Sequence, residues 1–189
     1  AEERAPNPLI SALSASVSTF FGEGIVGHVG FGDPVCATVS KAATEACASA
    51  NVSGKLGGTY VCMEGPQFST RAESNLYRSW GVDVIGMTNL QEAKLAREAE
   101  ICYATIAMIT DYDCWRESDE AVNVEAILGY LQTNAETAST LIRQAIPSLA
   151  ARKRECLCVN ALQNAIITDR RIIPQQVKEV LAPIVGRYM

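Results

Sequence analysis

Apolar residues recur at helical spacing from residue 34 to 50, where Val35, Val39, Ala42 and Ala46 fall on one side, and this predicts a helix. Residues 59–63, Thr-Tyr-Val-Cys-Met, are a short run of strand formers closed by Glu64-Gly65-Pro66, which predicts a strand. Ser69 and Thr70 then offer hydroxyls to cap a helix that runs to about Trp80, where Gly81 stops it. Residues 82–87 read as a second buried strand, followed by a helix from Gln91 to about Ala99 that turns Glu92, Lys94, Arg97 and Glu98 outward. Residues 101–110, Ile-Cys-Tyr-Ala-Thr-Ile-Ala-Met-Ile-Thr, are almost continuously apolar and predict a third strand, buried on both faces. Residues 123–146 predict a long amphipathic helix with Val124, Ile127, Leu128, Leu131, Ala135, Ala138, Leu141 and Ile142 along one side. A last helix is expected over residues 175–188.

Strands alternating with helices are the pattern of an α/β protein with a mixed, largely parallel sheet flanked by helices. The glycine-rich residues 18–34 read as a loop. Within it, Gly22-Glu23-Gly24 lacks the preceding strand and following helix that a phosphate cradle requires. Residues 1–17 are poorly patterned, so the expected organisation is that segment followed by one domain over residues 18–189.

Composition narrows the function classes. A net charge of −5 with scattered Lys and Arg gives no basic face for nucleic acid. No apolar run reaches bilayer length, and the first residues do not resemble a signal peptide. The expectation is therefore a cytoplasmic chain with neither nucleic acid nor membrane as partner. Seven cysteines, an odd number set mostly in apolar stretches, read as reduced thiols. Cys156-Leu157-Cys158 has the look of a redox or metal pair. No second Cys/His pair in the sequence supports it, and His28 is the only histidine. The expectation is no metal and no cofactor.

In open α/β sheets, ligands bind beyond the carboxyl ends of the strands. The three runs end in Glu64-Gly65-Pro66-Gln67-Phe68-Ser69, in Met87-Thr88-Asn89, and in Asp111-Tyr112-Asp113. Phe68 can stack on a planar ring, Met87 can pack under a sugar, and Thr88 can donate to an anion. Asp111 and Asp113 point the same way if the chain stays extended. Two neighbouring carboxylates resist double ionisation, so one can retain a proton above the usual value of about 3.9. That proton can be donated to a ring nitrogen while the partner carboxylate accepts from an exocyclic amine. Taken alone, the two aspartates read first as solvated residues after a strand. Phe68 and Met87 alone read first as packing, periodicity places Val124 and Ile127 in the core, and Ser69 and Thr88 also read as helix caps. Arg71 and Glu73 read as an ion pair supporting the site.

Residues 58–74, Gly-Thr-Tyr-Val-Cys-Met-Glu-Gly-Pro-Gln-Phe-Ser-Thr-Arg-Ala-Glu-Ser, resemble the signature of the purine nucleoside phosphorylase and methylthioadenosine phosphorylase family. Val84-Ile85-Gly86-Met87-Thr88-Asn89 and Ile109-Thr110-Asp111-Tyr112-Asp113-Cys114-Trp115 continue the resemblance in order. It implies phosphorolysis: phosphate attacks the anomeric carbon and the purine leaves, with inorganic phosphate as co-substrate. It further implies that Asp111 stabilises the departing base at N7 and that Asp113 helps read the amino group. Phe68 and Ser69 lie by the base, Met87 against the ribose, and Thr88 at the phosphate. Val124 and Ile127 match positions lining an apolar pocket for a 5′-methylthio group. His28 matches a position reaching the substrate's 5′ end in a neighbouring subunit, which implies a homo-oligomer, a trimer in this family.

Branches acting on 6-oxopurines resemble this chain but carry Glu where Ser69 stands and Asn where Asp111 stands. A carboxylate repels a 6-oxo carbonyl and accepts from a 6-amino group, so adenine is the expected base. Family members also supply an Arg-His pair and Thr-containing phosphate loops. No Arg-His dipeptide occurs here and residues 1–17 resemble nothing in that region. The resemblance thus implies the C-terminal part of the fold, without its N-terminal strands, and deficient phosphorolysis by these residues alone. Two other functions fit the same motifs: a phosphorylase of ordinary purine nucleosides, and a non-catalytic purine-binding remnant.

Overall fold

In the computed structural model, which describes residues 17–116 and 124–189, the first expected helix forms as α1 (Ala37–Ser49). Of the poorly patterned segment 1–17, all but Val17 lies outside the described residues. The first two expected strands form as β1 (Tyr60–Cys62) and β2 (Val84–Gly86). They pair in parallel, with Tyr60 opposite Val84, Val61 opposite Ile85 and Cys62 opposite Gly86. Helix α2 (Arg71–Ser79) connects them, and α3 (Asn89–Glu98) follows β2. Both parallel strands therefore deliver their carboxyl ends to one sheet edge.

Helix α2 has well-defined ends. Thr70 caps it through the Glu73 N–H, and the Glu73 carboxylate returns to the Thr70 N–H at 2.7 Å. At the other end Gly81, with φ +75, closes a Schellman turn in which the Val82 N–H reaches the Tyr77 carbonyl and the Gly81 N–H the Arg78 carbonyl. Nothing lies within 4 Å of a Cβ built on Gly81, so steric room is not what selects glycine there. Gly81→Ala is expected to cost about 1 kcal/mol from the left-handed backbone alone, read by thermal or urea unfolding.

The chain divides into two compact units. Among the described residues, one holds those up to Ala37 with Thr88–Ala104 and Arg154–Met189; the other holds Thr38–Met87 and Thr105–Lys153. The first has a core of Ile25, Leu162, Ala165, Ile173 and Val185. Glu100 is tied in at its edge, accepting from the Leu162 N–H at 2.9 Å, the Tyr188 hydroxyl at 2.5 Å and the Arg187 guanidinium. The second packs Ala46 of α1 against Leu141 and Ala145 of the long helix α4 (Val124–Ala150).

Four expectations are corrected. Glu98 does not turn outward from α3: it is buried, its carboxylate accepting from the Thr19 hydroxyl at 2.8 Å and the Phe20 N–H at 2.6 Å. Residues 101–110 do not form a strand. A run buried on both faces needs neighbours on each side. Here Ile101 is 57% and Ile109 59% exposed, and from residue 105 to 110 exposed and half-buried positions alternate, so only one face is covered. Helix α4 buries a narrower stripe than its apolar pattern predicts. Leu141 is buried with Ala138 half-buried, whereas Leu128, Leu131, Ala135 and Ile142 are exposed. Finally, the single helix expected over residues 175–188 is broken into α5 (Gln175–Val180), α6 (Ala182–Val185) and a 3-10 turn, Gly186–Tyr188. Pro183 is the cause: it lacks an N–H, its ring crowds the carbonyl four residues earlier, and it disfavours helical geometry in the residue before it.

Candidate functional site

The β1 ladder continues one residue beyond the strand, with the Met63 N–H donating to the Gly86 carbonyl at 2.8 Å. The chain then turns sharply at Gly65, which has φ +71. A Cβ there would sit 2.6 Å from the Met87 sulfur, a side-chain atom that can yield, so it is the left-handed backbone that calls for glycine where this turn packs on Met87. Met87 thereby stands at the end of β2 against the turn that leaves β1.

Beyond the turn, Phe68 is 87% exposed, a bare aromatic face beside the strand end. Ser69 next to it is buried, its hydroxyl directed to the Met63 sulfur at 3.2 Å. Its carbonyl accepts from the Cys114 thiol at 3.5 Å, which docks the segment carrying Asp111 and Asp113 onto the same place. That segment is fixed further by Arg78 of α2, whose guanidinium lies 4.1 Å from the centre of the Trp115 ring. The Asn134 amide of α4 holds the Ile109 carbonyl at 3.0 Å just upstream. Phe68, Ser69, Met87 and Asp113 are thus gathered by contacts within one unit.

The two aspartates have different surroundings. Asp111 is exposed, and its Oδ1 accepts from the Thr110 hydroxyl at 3.1 Å. Asp113 is half-buried and begins a turn, closed by the Arg116 N–H on the Asp113 carbonyl at 3.0 Å. The extended stretch that carries both aspartates therefore runs no further than Asp113. Asp113 Oδ1 accepts from the Cys114 N–H at 2.8 Å, whereas Oδ2 is buried with no hydrogen-bond partner among the described residues. A buried acceptor left unpaired is costly, and a ligand N–H donor would relieve it.

The remaining expected residues fall elsewhere. Thr88 is exposed and precedes α3, but its hydroxyl makes no capping hydrogen bond there. The plain cap reading thus gives way to a hydroxyl standing at a helix N-terminus, a place suited to an anion. His28 is exposed, its N–H bonded to the Ala165 carbonyl at 2.8 Å, in a shallow hollow of about 240 Å³ lined also by Asn160, Gln163 and Asn164. Thr88 and His28 belong to the first unit. Val124 and Ile127 stand in the first turns of α4, and their side chains lie outside the described set. The Arg71–Glu73 pair gives way to the α2 capping box, whose Thr70 N–H holds the Glu73 carboxyl below its usual range.

Two features were not legible as site features. Arg78 over Trp115 joins residues with no periodic relation, so no local signal links them. The second is a thiol cluster in the first unit: the sulfurs of Cys36, Cys102, Cys156 and Cys158 lie within 4.8 Å of one another. Distance in sequence concealed it, since only Cys156 and Cys158 are neighbours. All seven cysteines stand as thiols. Burial works against ionising Cys156, but hydrogen bonds from Cys102, Cys36 and Cys158 outweigh it and hold its thiol at about 7. Burial, then the bond to Cys156, pushes Cys158 up to about 12.

Comparison with known proteins finds relatives over almost the whole chain. Residues 10–147 match the phosphorylase superfamily. The chain is 57% identical to S-methyl-5'-thioadenosine phosphorylase of Koribacter versatilis over 183 residues, covering 97% of this chain and 62% of that protein. A crystal structure of methylthioadenosine phosphorylase from an Antarctic soil metagenomic library superposes with a TM-score of 0.83 at 43% identity, over 89% of this chain and 60% of that one. Methylthioadenosine phosphorylase from Schistosoma mansoni in complex with adenine gives a TM-score of 0.67 at 27% identity, over 72% and 54% of the two chains. The chain therefore spans roughly three fifths of the length of these relatives, 62% of the first.

Proposed function

Since the chain belongs to the phosphorylase superfamily, we propose that it carries the base- and ribose-binding side of an S-methyl-5'-thioadenosine phosphorylase site. The reaction is phosphorolysis. A phosphate oxygen bonds to the anomeric carbon, the bond from that carbon to N9 breaks, and its electron pair moves onto the purine. Adenine and 5-methylthioribose 1-phosphate are released. No cofactor takes part, inorganic phosphate being the second substrate.

Asp111 supplies a proton or hydrogen bond at N7 as charge builds on the leaving base. Phe68 offers its exposed ring to the purine, Met87 lies under the ribose, and Thr88 meets the phosphate at the start of α3. Val124 and Ile127 line the methylthio pocket. The working assembly is a homo-oligomer, a trimer, in which His28 reaches the 5′ end of a neighbour's substrate. The enzyme works in the cytoplasm, consistent with thiols kept reduced; no helix of the described residues is long and apolar enough to cross a membrane.

The observation that carries this reading is the buried Asp113 Oδ2, which has no partner among the described residues and is held near Ser69 by the Cys114 contact. A 6-amino group is the donor it lacks. Asp113→Ala is expected to weaken adenine binding to this chain by about tenfold to a hundredfold, the worth of one charge-assisted hydrogen bond. Isothermal calorimetry measures it, and an unchanged affinity would remove Asp113 from the base site. These 189 residues, assayed by themselves, are expected to bind adenine yet cleave methylthioadenosine far more slowly than the longer relatives. Turnover at the relatives' rate would show that phosphate binding is complete within them.

A further inference from the structure

The thiol cluster is built as a metal site, and we propose that Cys36, Cys102, Cys156 and Cys158 bind one zinc ion as a tetrathiolate centre. The site is separate from the one that reads the purine. Its four ligands come from three distant stretches of the first unit. Cys36 immediately precedes α1, Cys102 follows the end of α3, and Cys156 and Cys158 flank the start of the 3-10 turn Leu157–Asn160.

Distances fit the ion. Zinc–sulfur bonds of about 2.3 Å in a tetrahedron place the sulfurs about 3.8 Å apart. The four sulfurs here are all within 4.8 Å of one another, and the Cys102–Cys156 pair is at 3.2 Å. Movements of an ångström or less, within reach of side-chain rotation, convert this cluster to the tetrahedral set. Hard cations prefer oxygen ligands, and four sulfurs with no carboxylate among them select a soft or borderline ion.

The surroundings suit a closed structural site. Cys36 and Cys158 are buried, and Cys102 and Cys156 are half-buried. The Cys36 N–H donates to the Tyr103 carbonyl at 2.7 Å, so the stretches bearing Cys36 and Cys102 are already joined. Four thiolates around a divalent cation carry a net charge of −2. Arg154, whose guanidinium holds the Glu100 carbonyl, has its positive charge favoured by Cys102 and then Cys156, and it answers part of that negative charge.

Zinc here would clamp the C-terminal stretch to the segments around α1 and α3 within this unit. Binding only the folded state, it raises thermal stability by about 10 °C when free zinc is a thousandfold above Kd.

The test uses the reduced protein, stripped with chelator and dialysed against zinc. Elemental analysis is expected to find one zinc per chain, X-ray absorption to find four sulfur neighbours at about 2.3 Å, and cobalt substitution to give a thiolate charge-transfer band. Cys36→Ser and Cys158→Ser are each expected to weaken zinc binding at least about a hundredfold, whereas Cys47→Ser, outside the cluster, leaves it unchanged. The readings on the unaltered protein stand even if a serine variant fails to fold. Zinc far below one equivalent in the fully reduced protein, a shell containing nitrogen or oxygen, or full retention of zinc in both serine variants would each overturn the site.

Discussion

Asp111→Ala is expected to lower kcat for methylthioadenosine phosphorolysis by about a hundredfold to ten-thousandfold, with KM changed only a few-fold. The reason is where charge appears. As the bond from the anomeric carbon to N9 breaks, electrons collect on the purine and N7 becomes a strong acceptor. A group that donates there interacts far more with the departing base than with the intact nucleoside, so its loss falls on kcat. The expected range corresponds to about 3–5 kcal/mol of transition-state stabilisation. The proposal for Asp111 draws on its exposure at the end of residues 101–110, where Oδ1 is occupied by the Thr110 hydroxyl. Steady-state kinetics on an active preparation of the protein decide the matter. A loss below tenfold, or a loss confined to KM, would move the leaving-group role to another residue.

Much of this site was legible because its residues sit where strands end. The short runs at residues 59–63 and 82–87 are rich in strand formers and closed by turn residues, and both formed. Their parallel pairing then dictates that Met87 and residues 64–69 emerge at one edge. Residues 101–110 show the limit of the same logic. An apolar run announces a strand only if partners exist to ladder with it, and composition carries no information about partners. The stripe on α4 failed for a related reason. Periodicity reports which side of a helix is apolar, not how wide a neighbour α1 provides.

The contacts that gather the site were the least legible. Cys114 on the Ser69 carbonyl, and Arg78 on Trp115, bridge segments tens of residues apart, and each rests on side-chain geometry that no local pattern encodes. The four thiols were concealed in the same way, because sequence spacing reveals a ligand set only when its members come in adjacent pairs. The split surroundings of the aspartates were not legible either, because they rest on the Cys114 N–H at Asp113 Oδ1 and on the burial of that residue, which spacing alone does not encode.

That split leads to the second large effect, the choice of base. Adenine is expected to bind at least about a hundredfold more tightly than hypoxanthine. The Asp113 Oδ2 atom is buried and can only accept while ionised. Facing a 6-amino group it gains a charge-assisted hydrogen bond. Facing a 6-oxo group it meets a second acceptor, so the bond is lost and the buried oxygen stays unpaired beside like partial charge. Asp111→Asn separates this argument from a general loss of affinity. Asparagine keeps a donor for N7 and adds N–H groups that a carbonyl can use, so hypoxanthine gains while adenine does not, and the preference narrows by about tenfold. Asp111→Ala, by contrast, offers neither base a donor and leaves the preference nearly intact. Calorimetric titration of both bases into the three proteins reads the pattern directly. Equal affinities for adenine and hypoxanthine in the unaltered chain would assign it to nucleosides of ordinary purines instead.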